Sequence, residues 1–288
     1  MAHSHEDHHA SDHGVAYRAV EAVGQVVDLL LDKAVETVAF VGGATTLAGR
    51  TLSSIFHTVF NRDQRLGGDH LLAQMVRVGI RSIPIIALVQ VFIGMILALQ
   101  MAPTLESYGQ IQRVADVVGI AMFRELGPLL SGIVLSGFAG ASIAAELGTM
   151  VEGEEIKALR AIALSPIRFL VVPRFLATVI MLTMLTVIAD VVGVFGGFLT
   201  ATTVLGIAGE QYLSATRAAL TQQDFLTGLA KAAVFGVLIS LIACHEGLSV
   251  RGGAEGVGRA TTNTVVKSIV ALITTDVLFT ATFYAFGI

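Results

Sequence analysis

The sequence has few charged residues, a single cysteine and no tryptophan. Only 14% of its 288 residues are charged, whereas soluble domains contain about 25%. The lone cysteine, Cys244, excludes a framework of disulfides within the chain. Without tryptophan, any aromatic anchors at a membrane interface must be tyrosine or phenylalanine. The composition therefore excludes both an ordinary soluble domain and a disulfide-stabilised secreted domain.

Sequence patterns typical of catalysis or cofactor binding are also missing. No G-x-x-x-x-G-K-[ST] sequence occurs, so the chain has no P-loop to bind ATP. His245-Glu246 has no further ligands beside it, which argues against a metal site there. Five histidines near the N-terminus could bind a transition metal, but a disordered polar tail over residues 1–16 is the favoured interpretation. The sequence thus predicts no enzyme, no cofactor, no resident metal and no nucleic-acid partner.

Long apolar segments fill most of the remaining chain, which is 54% hydrophobic with a mean hydropathy of +0.78. Segments of about 20 apolar residues can cross a hydrocarbon core about 30 Å thick. Residues 69–288 are therefore predicted to be a five-span domain of an all-α integral membrane protein. The predicted spans run approximately over Ile83–Met101, Leu126–Met150, Phe175–Val204, Phe225–Cys244 and Val265–Phe286.

Residues 17–68 differ from the spans because they contain several charged residues among their apolar ones. Asp28, Asp32, Lys33 and Glu36 would be costly at the bilayer centre but acceptable at its surface. One or two amphipathic interfacial helices are the favoured prediction for this segment, with a sixth span between about residues 26 and 60 as the alternative.

The distribution of lysine and arginine between the loops predicts the orientation in the membrane. Basic residues are more frequent in the loops that follow the second and fourth spans than in those on the opposite side. The bias places the N-terminus in the cytoplasm and the C-terminus in the periplasm. The residues on the predicted cytoplasmic side are Lys157, Arg160, Arg168, Arg174, Arg251, Arg259 and Lys267, and those on the other side are Arg113, Arg124 and Arg217.

Small residues spaced by four occur in the second and third spans, as Ser136 with Gly140 and as Gly193 with Gly197. Such pairs allow helix backbones to approach closely in a membrane. Tight packing within one chain is the favoured interpretation, and a contact between two copies of the chain is the alternative.

A charged island, EGEEIKALRAIALSP, separates the second and third spans at residues 152–166. On a helix, Ile156, Leu159 and Ala163 share one face. Glu154 and Lys157 are spaced to pair on another. Ser165-Pro166 is predicted to end this helix of about 12 residues. Such a helix could lie on the lipid surface or dock into a groove of a soluble partner, and its composition leaves both open.

Four motifs, FIGMILALQ, RELGPLLSGIVLSGFAGASIAAELGTM, EEIKALRAIALSPIRFLVVPR and GVGRATTNTVVKSIV, closely resemble the MlaE/YrbE permeases from about Leu71 to the C-terminus. The resemblance implies an inner-membrane permease of an ABC transporter that moves phospholipid. It implies a homodimer, two cytoplasmic ATPase subunits that bind the ATP, a hexamer of MCE-domain proteins outside and, in many cases, a STAS-domain protein. An ATPase-independent secondary transporter or channel is the alternative.

The same resemblance implies two functional regions. The charged island matches the family's coupling helix, which docks into the ATPase. A lipid pocket on the outer side would have an apolar wall at the end of the first span and charged residues near the lipid phosphate. The alternative is that the charged residues extend to the headgroups or pair with one another. The coupling residues would be Glu154, Glu155, Ile156, Leu159 and Arg160, and the lipid-binding residues Leu97, Thr104, Leu105, Tyr108, Arg124, Glu125 and Lys231.

Three residues in the spans raise separate questions. Phe138 occupies a position where the family commonly has arginine, so any role of that cation cannot be transferred to this chain. Asp190 and Asp276 each interrupt an apolar segment. Carboxylates at such positions normally face the protein interior or water. A satisfied structural hydrogen bond is the favoured interpretation for both.

Overall fold

A computed structural model describes Leu31, Val35 and residues 37–56 and 68–287. The chain divides into two compact units, residues 1–47 and 48–288. In the first unit, residues 37–47 are helical, as are residues 48–56 in the second. The His-rich tail and much of the predicted interfacial segment lie outside the described residues. Those predictions therefore remain predictions.

From residue 68 to 287 the second unit contains helices and turns but no strand. The order is α1 (Gly68–Val78), α2 (Ile83–Ser107), α3 (Val114–Ala121), α4 (Gly127–Leu135) and α5 (Ala141–Glu152), and then α6 (Glu155–Ala161), α7 (Val172–Thr203), α8 (Gly209–Ala219), α9 (Gln222–Leu248) and α10 (Gly253–Phe286). Single 3-10 turns at Ile80–Ser82 and Ile111–Arg113 and π-helical turns at Met122–Leu126, Ser136–Gly140 and Ile167–Val171 join neighbouring helices.

Among the residues that the structure describes, five continuous helical segments are long and apolar enough to cross a membrane, as predicted. Each begins before its predicted start, because polar residues continue the helix past its apolar part, whereas the third ends at Thr203 and the fifth at the predicted Phe286. They are numbered span 1 to span 5 below and cover Asp69–Ser107, Ile111–Glu152, Ile167–Thr203, Gln222–Leu248 and Gly253–Phe286. The sequence-based prediction of an all-α, five-span membrane domain is confirmed.

Two of the π-helical turns end two residues before a proline. Pro128 follows the turn at Met122–Leu126, and Pro173 follows the turn at Ile167–Val171. A proline has no N–H to donate, and its ring collides with the carbonyl four residues earlier in a regular α-helix. One widened turn relieves this conflict while the span continues.

Span 3 packs against spans 1, 2 and 4 and forms the centre of the unit. Its glycines permit very close approach. A Cβ at Gly196 would overlap the Val91 carbonyl, and a Cβ at Gly94 would overlap the Gly193 carbonyl. The predicted small-residue packing within one chain is therefore confirmed for the third span. In the second span, Gly140 faces Ile239 and Thr264 at ordinary contact distances.

The helix of the charged island, α6, is shorter than predicted and ends at Ala161. Ala163 adopts a left-handed conformation (φ 59°). The Leu164 N–H donates to the Leu159 carbonyl over 2.9 Å, and the Ala163 N–H donates to the Arg160 carbonyl over 3.0 Å. These two bonds form a Schellman motif, which closes the helix. The prediction that Ser165-Pro166 ends it is wrong, because the chain turns before reaching that proline.

Candidate functional site

A buried ion cluster joins spans 2, 4 and 5. The Lys231 ammonium lies 2.6 Å from Glu125 Oε2 and 2.9 Å from Asp276 Oδ1. It also donates to the Thr280 hydroxyl over 3.0 Å, and that hydroxyl donates to Glu125 Oε1 over 3.0 Å. We call these four residues the lysine cluster. Only 1% of the Lys231 side chain is exposed, so its charge depends on these partners.

The lysine cluster lies away from the ends of spans 4 and 5. Lys231 is nine residues from the start of span 4, and Asp276 is ten residues from the end of span 5. At 1.5 Å per residue these positions are about 14–15 Å from those helix ends. Because the Lys231 ammonium is held by partners inside the protein and its side chain is almost fully buried, it does not extend to the headgroups. Pairing between the charged residues is what the structure shows.

The structure brings Glu125 and Lys231 together, as the sequence predicted, but Arg124 points elsewhere. Arg124 Nη1 lies 3.4 Å from Asp224 Oδ1 at the start of span 4. Asp224 also caps this helix, because its carboxylate accepts from the Thr221 N–H and the Thr221 hydroxyl accepts from the Asp224 N–H. Arg124 is therefore linked to the start of span 4 rather than to the lysine cluster.

Two members of the lysine cluster, Asp276 and Thr280, were missed as site residues. Both lie on span 5, one helical turn apart, so they share a face. Asp276 was expected to make only a structural hydrogen bond, whereas its carboxylate is an ion-pair partner of Lys231. The sequence signal that could have identified both residues was a carboxylate and a hydroxyl at an i, i+4 spacing inside an apolar segment.

The predicted apolar wall on span 1 has two faces. Leu97 and Leu105 are half-buried and pack against a buried apolar cluster that includes Val118 and Met122. Thr104 and Tyr108 are exposed, with 76% of Tyr108 accessible. Span 1 therefore offers apolar side chains and hydroxyl groups next to each other at the end of α2.

Asp190 is almost fully buried in span 3, where 2% of it is exposed. Its Oδ1 lies where a Cβ on Gly127 would be. Among the described residues this oxygen has no hydrogen-bond partner, and neither has Oε1 of Gln90. The favoured interpretation of Asp190 as a satisfied structural carboxylate is therefore wrong for this oxygen. The Gly127 backbone lies close to this oxygen, but its N–H is used within the helix and cannot donate to Asp190.

A second ion network lies near the other ends of spans 1, 2 and 3. Glu146 Oε2 lies 2.7 Å from Arg77 Nη1 and 3.1 Å from Arg174 Nη2. A cavity of about 230 Å³ beside it is lined by Arg77, Arg81 and Phe138. Phe138 thus has two arginines of span 1 around the same cavity.

The charged island presents a different apolar surface from the predicted one. Ile156 is only 7% exposed because it is buried against its own chain. The prediction that Ile156 enters a partner groove is therefore wrong. Ile162 and Leu164 are 67% and 42% exposed, and Leu159 is half-buried.

The charged residues of the island remain on its surface. Glu155 and Arg160 are exposed. Glu154 accepts from Lys157 over 2.6 Å, and this hydrogen bond lowers the pKa of Glu154. The i, i+3 pairing predicted for the island is confirmed.

The metal-ligating residue types are dispersed in the part of the chain that the structure describes. There, no group of three or more His, Cys, Asp or Glu residues could hold a metal ion. Glu246, which follows His245, lies 2.7 Å from the Lys267 ammonium.

Comparison with known proteins identifies the sequence pattern. The family described as Permease MlaE matches residues 71–282. A probable ABC transporter permease protein of Rickettsia prowazekii is 39% identical over 214 residues, which cover 74% of this chain and 83% of that protein. The intermembrane phospholipid transport system permease protein MlaE of Haemophilus influenzae is 32% identical over 218 residues, covering 75% and 84%. The chloroplastic protein TRIGALACTOSYLDIACYLGLYCEROL 1 of Arabidopsis thaliana is 34% identical over 213 residues, covering 74% and 61%.

Proposed function

We propose that this chain, which belongs to the MlaE permease family, moves phospholipids between the inner membrane and a protein conduit outside it. As a member of this family the chain is a multi-pass permease of an ABC transporter and is not itself an enzyme. The ATPase-independent alternative is not supported by this membership. The observation that carries the proposal is the lysine cluster, because a buried ammonium offers a partner for a lipid phosphate.

The chemistry of the lysine cluster suits a phosphate that enters from one side. An ammonium in a low-dielectric site binds a phosphate through short charge-assisted hydrogen bonds. Lys231 already holds two carboxylates, Glu125 and Asp276. Two negative charges around one ammonium repel each other. In this proposal a phosphate displaces one carboxylate when the spans separate, so the cluster alternates between an empty paired state and a lipid-bound state.

The apolar wall on span 1 would hold the acyl chains. Leu97 and Leu105 supply apolar contacts, while Thr104 and Tyr108 supply hydroxyl groups near the headgroup. Arg124, which is one-third exposed, would meet the phosphate before it reaches Lys231. We place this pocket between two copies of the chain, as the resemblance to the MlaE/YrbE permeases implies.

Energy would come from two separate ATPase subunits that bind the ATP, since this chain has no P-loop. The charged island would dock into them through Ile162, Leu164 and Leu159, flanked by the charged Glu155 and Arg160. An MCE-domain hexamer would receive the lipid on the opposite side, and a STAS-domain protein would bind the ATPase. The lysine and arginine bias supports an N-terminus in the cytoplasm and a C-terminus in the periplasm.

Photocrosslinking tests the pocket. A photoreactive residue at Leu97 or at Leu105 should capture phospholipid in membranes that contain the assembled transporter. The control is Ile273 in span 5, which is 48% exposed and should give little labelling. Equal labelling at all three positions would show ordinary lipid contact and contradict the pocket. Leu105→Glu, which places an unpaired charge on the wall, should abolish lipid transport while the complex stays assembled.

Co-purification tests the docking surface. The double substitution Ile162→Asp and Leu164→Asp should release the ATPase, since a charge in an apolar groove is desolvated without a partner. Val204→Asp is a matched control, because Val204 is 65% exposed at the other end of span 3. Full recovery of ATPase with the double variant would show that the island does not dock through these residues.

A further inference from the structure

An apolar groove lies beside span 3, separate from the lysine cluster and from the wall on span 1. Its volume is about 390 Å³, within the range of ordinary ligand pockets. The side chains that line it come from three elements: the π-helical turn of span 2, one face of α7, and α8. They include Phe123, Val194, Phe195, Phe198, Leu213 and Leu220.

The groove runs along span 3 toward α8. Val191, Val194, Phe195 and Phe198 line it and follow one another at spacings of three, one and three, so they form one face of α7. From Val191 to Phe198 this face is about 10 Å long at 1.5 Å per residue. That length is roughly two-thirds of a leaflet whose hydrocarbon is about 15 Å thick. This apolar face of α7, which we call the slot, is therefore long enough to contact a large part of an extended hydrocarbon chain.

Arg217 supplies a charge at the α8 end of this slot. It lies four residues after Leu213, so both lie on one face of α8, and Leu220 follows the end of that helix. Arg217 is exposed. It forms no ion pair with any residue in the described part of the chain, in contrast to Arg124, which has Asp224 within reach. An exposed arginine in this position is available to an anion.

We propose that this groove is a second lipid site, which holds one acyl chain of an anionic phospholipid from the leaflet on the α8 side, with Arg217 binding its phosphate. The apolar lining fits a hydrocarbon chain, and the unpaired guanidinium fits a phosphate, which it can bind in a bidentate manner. The site does not depend on the proposed transport function. It requires only that the spans lie in a bilayer.

Fluorescence quenching can test the site because the chain contains no tryptophan. Phe195→Trp places a single reporter in the groove, where Phe195 is 51% exposed. The full chain is reconstituted in phosphatidylcholine vesicles that contain increasing fractions of phosphatidylglycerol with brominated acyl chains, which quench tryptophan on contact. Met184→Trp is the matched control, because Met184 lies on the same face of α7, is 58% exposed, and is outside the groove.

The expected result is that quenching at Phe195→Trp saturates at a lower fraction of brominated lipid than at Met184→Trp. One arginine near a membrane surface favours an anionic lipid about fivefold. The double variant Phe195→Trp, Arg217→Gln should therefore lose a preference of about fivefold for the anionic lipid. Leu213→Trp is a second reporter if Phe195→Trp does not fold. Quenching that follows the Met184→Trp curve would overturn the site, and an unchanged preference with Arg217→Gln would overturn the role of Arg217.

Discussion

Replacing the buried lysine with an apolar residue of similar length, Lys231→Met, should strongly destabilise the protein. The substitution leaves Glu125 and Asp276 near each other without the ammonium that lies 2.6 and 2.9 Å from them. Breaking a buried ion pair by removing one partner costs about 3–5 kcal/mol. For a domain of this size that cost corresponds to a fall in Tm of about 6–20 °C. Loss of helical circular dichroism on heating in detergent micelles measures it.

Two further variants make this prediction specific. Lys157→Met removes a lysine whose side chain is 75% exposed, so its cost should stay below about 1 kcal/mol. The triple variant Lys231→Met, Glu125→Gln and Asp276→Asn removes all the charges together and should recover most of the lost stability, because no unpaired charge remains. It should nevertheless fail to transport phospholipid, since the group proposed to bind phosphate is gone.

Three outcomes would refute this reasoning. A Lys231→Met protein that melts within about 2 °C of the original would show that the lysine does not neutralise the two carboxylates. A triple variant as unstable as the single one would assign the loss to packing rather than to charge. A triple variant that transports lipid normally would remove the lysine cluster from the proposed mechanism.

Other substitutions test the packing around the site. Gly196→Ala should destabilise the chain by about 1–3 kcal/mol, because a Cβ there would overlap the neighbouring backbone. The same thermal unfolding measures this loss. Gly137→Ala is the control and should be neutral, since a Cβ at Gly137 would have nothing within 4 Å. Asp190→Asn should leave stability unchanged or raise it, since an unbonded buried carboxylate is replaced by a neutral group. A loss of stability above about 2 kcal/mol would mean that the carboxylate has an important partner. Thr221→Val should cost about 1 kcal/mol through loss of the cap that binds Asp224, and unchanged stability would show that the cap contributes little.

The sequence alone determined the architecture and part of the site. Apolar length is a local property of the chain, and in a membrane it decides directly whether a helix spans the bilayer. The five spans could therefore be counted without a structure, and the charged island could be placed between the second and third. Glu125 and Lys231 were also identified together, through motifs that resemble a known family rather than through spacing, because 106 residues separate them.

Tertiary structure decided which of these residues meet. The rotation of each span about its axis sets its buried face, and a helix that is apolar on all sides gives little information about that rotation. For this reason Asp276 and Thr280 were not assigned to the lysine cluster, and Asp190 was expected to have a bonded carboxylate. Ile156 was expected to face a partner because the sequence does not show that its own chain buries it. The groove beside span 3 was likewise invisible in the sequence, since its lining comes from three elements that only the packing of the helices brings together.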